Sequence, residues 1–160
     1  MSNVTRIVEG NMFYKARCVA STHNEQLSSR EGAADLMSID RGRLYRIEKG
    51  VADPVPEEVH LMADLYNAPE LRNYYCTEKC PLGDCVAKAG VKSLDRIAVM
   101  AMASFEKSED TNQRLLKIVA DGAVTEDERG DLMDVIKDLG EMEEIAQNLK
   151  NWARKNLQEV

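Results

Sequence analysis

The 160-residue sequence predicts an all-α chain in two parts. Apolar residues recur every three or four positions along most of it, the spacing of one helix face. The alternation of apolar and polar residues that marks a half-buried strand lasts nowhere beyond a few positions. The composition points the same way: eight Met, two Phe, five Tyr and one Trp, with few β-branched runs, favour helix over sheet.

Each expected element has its own signal. Phe13, Ala16, Arg17 and Ala20 mark a first helix, and a polar loop follows over residues 21–28. Ser29 reads as an N-cap opening a short helix to about Met37. Ser38 and Ile39 make a tight turn, and Asp40 caps the next helix. That helix carries Leu44 and Ile47 inward and stops at Gly50, a typical residue just past a helix end. After the loop Asp53-Pro54-Val55, Pro56 starts a fourth helix with Glu57 and Glu58 in its first turn. Val59, Met62, Ala63 and Tyr66 form its buried stripe. Asn67-Ala68-Pro69 breaks it, and Leu71, Tyr74 and Tyr75 line a fifth. The segment 76–85, with Pro81 and Gly83 among its cysteines, is expected to be irregular and marks a boundary.

Beyond it lie three further helical patterns. Leu94, Ile97, Ala101 and Phe105 mark one, and Leu115, Ile118 and Val119 a second. The last runs from Thr125 to about Leu157, with Leu132, Ile136, Leu139, Met142, Ala146, Leu149 and Ala153 as its apolar stripe and Gly140 as a possible kink point. Thr125 caps it, with Glu128 closing a capping box. The expected division is a domain over 1–75, a cysteine-containing connector over 76–90 and a helical extension over 91–160.

Charge and length narrow the function. Twenty-eight acidic against 21 basic side chains leave −7, which by itself disfavours a surface that binds phosphate wholesale. Residues 1–75 hold 9 basic and 11 acidic side chains, a net of −2, and residues 76–160 hold 12 and 17, a net of −5. From Asp40 to Lys49 the count is four basic against two acidic, a local +2. No stretch approaches the roughly 20 apolar residues of a membrane helix. Residues 1–10 lack the positive region and apolar run of a signal peptide, so a cytoplasmic protein that does not enter membranes is expected. Neither His23 nor His60 sits in a catalytic pattern with Ser, Cys or a carboxylate, and no glycine-rich phosphate loop occurs. An enzyme is not expected.

The segment SREGAADLMSIDRGRLYRIEKG, residues 29–50, resembles the helix-turn-helix of the lambda-repressor/Cro-like transcriptional regulators, the xenobiotic response element family. Ala34, Ser38, Ile39, Leu44, Ile47, Glu48 and Gly50 occupy the pattern's places. The resemblance runs on through Pro54, the helix after Pro56 and Leu71, covering roughly residues 11–75. Ala33 departs from a usual core Leu, Ser38 from the turn Gly, and the loop before Ser29 is longer. The resemblance implies a five-helix DNA-binding domain. It also implies that Arg41, Gly42 and Arg46 read bases, that Ser29 and Arg30 face phosphate, and that Glu48 pairs structurally with Arg17.

The residues agree with that implication. At 100° per residue, Leu44 and Ile47 share one side of the helix over residues 40–49, with Gly42, Arg46 and Lys49 opposite. Arg41 and Arg43 flank the N-terminal end that such folds push into the major groove, and Tyr45 is a flanking contact. An Arg there can bond guanine bidentately, worth about 1–3 kcal/mol of discrimination. Gly42 costs about 1 kcal/mol of helix propensity, yet lets the backbone approach a ligand. Read alone, the basic side chains could equally be a solvated helix face.

Cys76, Cys80 and Cys85 cluster within ten residues. In a reducing compartment they are thiols or metal ligands rather than disulfides. A closed zinc site needs four ligands, so Cys18, or else His23 or His60, would have to complete it. Packing thiols, a zinc site and redox-responsive thiols all remain open, with zinc the one candidate cofactor. The expectation is thus a sequence-specific DNA-binding regulator acting on double-stranded DNA, most simply a repressor and a homodimer. The alternatives are a helical protein-interaction adaptor without DNA binding, or a metal- or redox-responsive regulator.

Overall fold

The computed structural model describes residues 11–120 and 122–157, and all of their regular structure is helical. The α-helices are α1 (Met12–Ala20), α2 (Arg30–Met37), α3 (Arg41–Glu48), α4 (Pro56–Leu65), α5 (Glu70–Glu78), α6 (Leu94–Ile118) and α7 (Arg129–Asn156). Two single-turn 3-10 helices, Glu25–Ser28 and Gly83–Cys85, lie in the connections. The chain divides into two compact units, Met1–Val86 and Ala87–Val160. Among the described residues, no helix is long and apolar enough to cross a membrane.

In the first unit, short helices surround one core. Phe13, Leu27, Met37, Leu44, Ile47, Val59, Met62 and Leu71 form its centre. Local chemistry starts each helix. Asn11 Oδ1 accepts the N–H groups of Phe13 and Tyr14, while its Nδ2 donates to the Ile47 carbonyl at 2.7 Å. One side chain thus caps the start of α1 and the end of α3, satisfying groups that helix termini leave unpaired. Pro56 opens α4, and Glu58 reaches back to the Val55 N–H at 2.8 Å. The Phe13 and Tyr74 rings meet edge-on at 5.6 Å, joining α1 to α5.

Two expectations for this unit are corrected. The loop over 21–28 contains the Glu25–Ser28 turn, which drives Leu27 into the core at 1% exposure. The fifth helix continues through Cys76 to Glu78, so the irregular segment starts later than Cys76.

The second unit is an antiparallel helical hairpin. Thr111 Oγ1 donates to Asp138 at 2.8 Å, Lys107 pairs with Glu141 at 3.2 Å, and the Gly90 N–H donates to Asn148 Oδ1 at 3.1 Å. Where two separate patterns were expected, α6 runs unbroken for 25 residues. The apolar signal lapses in mid-helix because the face toward α7 there is made of Ser104, Ser108 and Thr111. The last helix starts at Arg129, not Thr125. The Thr125 N–H and hydroxyl both donate to Glu128 Oε2, forming the capping box one turn early. α7 passes Gly140 without interruption.

Candidate nucleic-acid interface

The segment from α2 to α3 is set by three local devices. Ser29 Oγ accepts the Gly32 N–H at 3.0 Å and caps α2. The helix ends at Ser38, whose φ of 54° and ψ of 39° are left-handed, and the Ile39 N–H returns to the Ala34 carbonyl at 3.0 Å. This closes the helix as a Schellman turn. Asp40 Oδ1 then accepts the Arg43 N–H at 2.8 Å and starts α3. Gly50 follows the helix with φ +69°. Gly32 is needed for a different reason: a Cβ there would stand 2.2 Å from the Gln26 carbonyl oxygen.

On α3, Leu44 and Ile47 are buried, and Arg41, Gly42, Tyr45 and Arg46 are exposed. Lys49 caps the helix end, half-buried. Arg41 lies 3.9 Å from Glu31, both side chains 71% exposed, a separation and setting worth little energy. A Cβ on Gly42 would meet the cap oxygen of Asp40 at 3.0 Å.

Arg43 departs from the expected set. Its Nε and Nη2 each donate to Glu58 at 2.8 Å, and Nη2 also reaches the Asp53 carbonyl at 2.9 Å. A bidentate pair of this kind is geometrically specific. Arg43 therefore fastens α3 to the start of α4 rather than presenting a cation. The hydrogen bonds from Arg43 hold the Glu58 carboxyl below its ordinary pKa, and those to Glu58 raise that of Arg43.

Arg30 is also engaged. Its Nε donates to Glu48 Oε2 at 2.5 Å. Its guanidinium lies 5.7 Å from the Tyr14 ring centre and 5.2 Å from that of Tyr45, within cation–π range. Tyr45 thus stacks on the cation it was expected to flank. Between Tyr14, Arg30 and Glu31 on one wall and Arg41, Gly42 and Tyr45 on the other lies an open cleft of about 640 Å³.

Glu48 is the node beneath. Arg17 Nε donates to its Oε1 at 2.5 Å and Nη2 to its Oε2 at 3.2 Å. Arg17 Nη1 bonds the Leu27 carbonyl at 2.8 Å and the Ser28 carbonyl at 3.3 Å. One carboxylate so joins α1, α2 and α3. The Tyr66 hydroxyl, buried near this pair, has no hydrogen-bond partner, and burial raises its pKa.

The cysteines do not converge. Cys18 sits on α1, where hydrogen bonding to its thiol raises the Tyr14 phenol pKa. Cys76 lies in α5, Cys80 follows that helix, and Cys85 is exposed in the Gly83–Cys85 turn. His23 and His60 are exposed, and His60 Nδ1 accepts from Arg72. Among the described residues, no three His, Cys, Asp or Glu side chains are grouped to hold a metal. The zinc set of Cys76, Cys80, Cys85 and Cys18 is therefore not assembled.

Sequence reasoning missed Tyr14, Glu31 and Glu58 as parts of this surface. Tyr14 precedes Arg17 by three positions, a spacing that places them side by side on a helix. Glu58 carried no such signal toward Arg43. Comparisons with protein-family models, with curated proteins and with solved structures found no match.

Proposed function

We propose that the first unit binds duplex DNA sequence-specifically, with α3 entering the major groove, and that the protein is a transcriptional regulator whose expected mode is repression. One observation carries this reading. α3 is anchored through Leu44, Ile47, Glu48 and Arg43, while Arg41, Gly42 and Arg46 remain on its exposed side. A short helix held from behind, with cations on its outer face, suits docking into a groove. The Arg30 guanidinium and the start of α2, at the edge of the cleft, supply groups that can meet phosphate.

Arg17, Arg30 and Arg43 are bonded to carboxylates. That leaves Arg41, Arg46 and Lys49 as the principal cations, so the expected affinity is modest and salt-sensitive. Two copies reading half-sites about one helical turn apart would compensate. The same shortage of cations favours a second reading, an adaptor that uses this surface for protein contacts.

The test is selection of bound fragments from random duplex DNA, followed by anisotropy titration at two salt concentrations. Each phosphate contact should contribute about −0.9 to the slope of log K against log salt. Arg41→Ala with Arg46→Ala should abolish selective binding while the circular dichroism stays unchanged. Absence of any selected sequence, or binding indifferent to the double substitution, refutes the proposal.

A further inference from the structure

The second unit has its apolar residues largely on the wrong side for a hairpin that stands alone. Among its described residues, the buried apolar side chains are Ile97, Ile118 and Val135, accompanied in the interior by Ser104, Thr111, Asn148 and Asn151. Outside, Met102 is 65% exposed and Phe105 69% exposed, with Leu94, Leu116, Ile136, Leu139 and Leu149 each more than two-fifths exposed. Scattered exposed apolar residues need no explanation; these are not scattered.

Helix geometry places them together. On α6 the inward line is Ile97, Ser104, Thr111 and Ile118. At 100° per residue, Ala98 and Phe105 follow that line by one step, and Leu94, Met102 and Leu116 lie one turn from such positions. On α7, Ile136 follows the buried Val135 in the same sense, and Leu139, Ala146 and Leu149 continue the stripe. Because the helices are antiparallel, residues following the inward line on each fall on one common side of the hairpin. The opposite side is marked independently by ion pairs between the helices. Arg114 lies 3.8 Å from Asp134 and 3.5 Å from Asp138, and Lys107 lies 3.2 Å from Glu141.

We infer that this apolar side is the interface with a second copy of the chain, two hairpins closing face to face into a four-helix bundle. The exposed side chains on it amount to about 800 Å², the area that one partner contributes to a standard stable interface. A helical layer needs a second layer to enclose a core, and the hairpin's own interior is too polar to supply one. The far side, bridged by ion pairs, needs no cover, so two layers complete the unit. An identical hairpin brings an apolar face of the same area. This inference does not depend on DNA binding by the first unit.

The test uses the full chain. Sedimentation equilibrium of the wild type at micromolar concentration should give twice the 17.9 kDa chain mass. Phe105→Glu and Leu139→Glu, made separately, should each shift the mass toward the single chain, and Arg96→Glu on the other side should leave the dimer intact. Hydroxyl-radical footprinting of the wild type supplies a readout free of misfolding. Met102 oxidation should slow severalfold as concentration rises through the dimer range. A wild type that stays monomeric, a dimer that survives both glutamates, or Met102 oxidising at one rate throughout overturns the inference.

Discussion

Replacing Glu48 by Gln keeps the side chain's shape and removes its charge. Glu48 and Arg17 are 1% and 5% exposed, so the guanidinium left behind has almost no access to water. The amide offers one acceptor where two carboxylate oxygens served three donors, from Arg17 and Arg30. Its other end presents N–H groups to a cation. Removing one partner of a buried pair costs about 3–5 kcal/mol. Arg17 keeps the Leu27 and Ser28 carbonyls, which places the expected loss near the lower end, about 3 kcal/mol. That is a large share of the roughly 5–15 kcal/mol that holds a domain together. With a urea m-value of about 1–1.5 kcal/mol per molar, the midpoint should fall by about 2–3 M. All five tyrosines lie before residue 76, so near-ultraviolet dichroism from tyrosine follows the first unit. Adding Arg17→Met to Glu48→Gln should recover most of the loss, because the stranded charge is gone. A single-variant loss below about 1 kcal/mol would mean that water screens the pair, as for a surface ion pair, and would refute the reasoning.

Three other outcomes are expected in the same unit. Gly32→Ala should destabilise by about 1–3 kcal/mol despite the better helix propensity of Ala, because the new methyl meets a backbone oxygen that cannot give way; urea melts check this. Ser38→Gly should stabilise by about 0.5–1 kcal/mol, since the left-handed strain it relieves exceeds the added chain entropy of glycine; a thermal melt shows the sign. The Glu58 carboxyl has a folded-state pKa lowered from its ordinary 4.5 by the hydrogen bonds from Arg43. Its contribution is therefore complete above pH 4.5 and is lost as pH falls through the lowered folded value. Urea midpoints between pH 7 and pH 3 should show that drop, and Glu58→Gln should flatten it.

The helix starts were legible because their causes are local. Ser29, Asp40 and Pro56 act within three residues of themselves, and Gly50 ends α3 through its own φ. Legibility failed where the cause lay across the fold or in polar atoms. Leu27 stands in a polar stretch too short for any period to show. α6 looked like two helices because its line toward α7 passes through Ser104, Ser108 and Thr111. Arg43 read as a DNA-facing cation because spacing along α3 cannot reveal that Glu58, fifteen residues away, claims it. The cysteines were close in sequence, yet a helix end and a 3-10 turn carry them apart.

The double attachment of α3's first turn has a thermodynamic consequence. Asp40 holds the Arg43 backbone, and the Arg43 side chain is held in turn by Glu58 and the Asp53 carbonyl. The helix end is already immobile before anything docks on it. A ligand meeting this end would freeze the rotamers of Arg41 and Arg46, at about 0.5–1.5 kcal/mol for each side chain, rather than a stretch of backbone. Disconnecting Arg43 would shift that ordering from folding to docking, weakening the encounter without removing a single contacting atom.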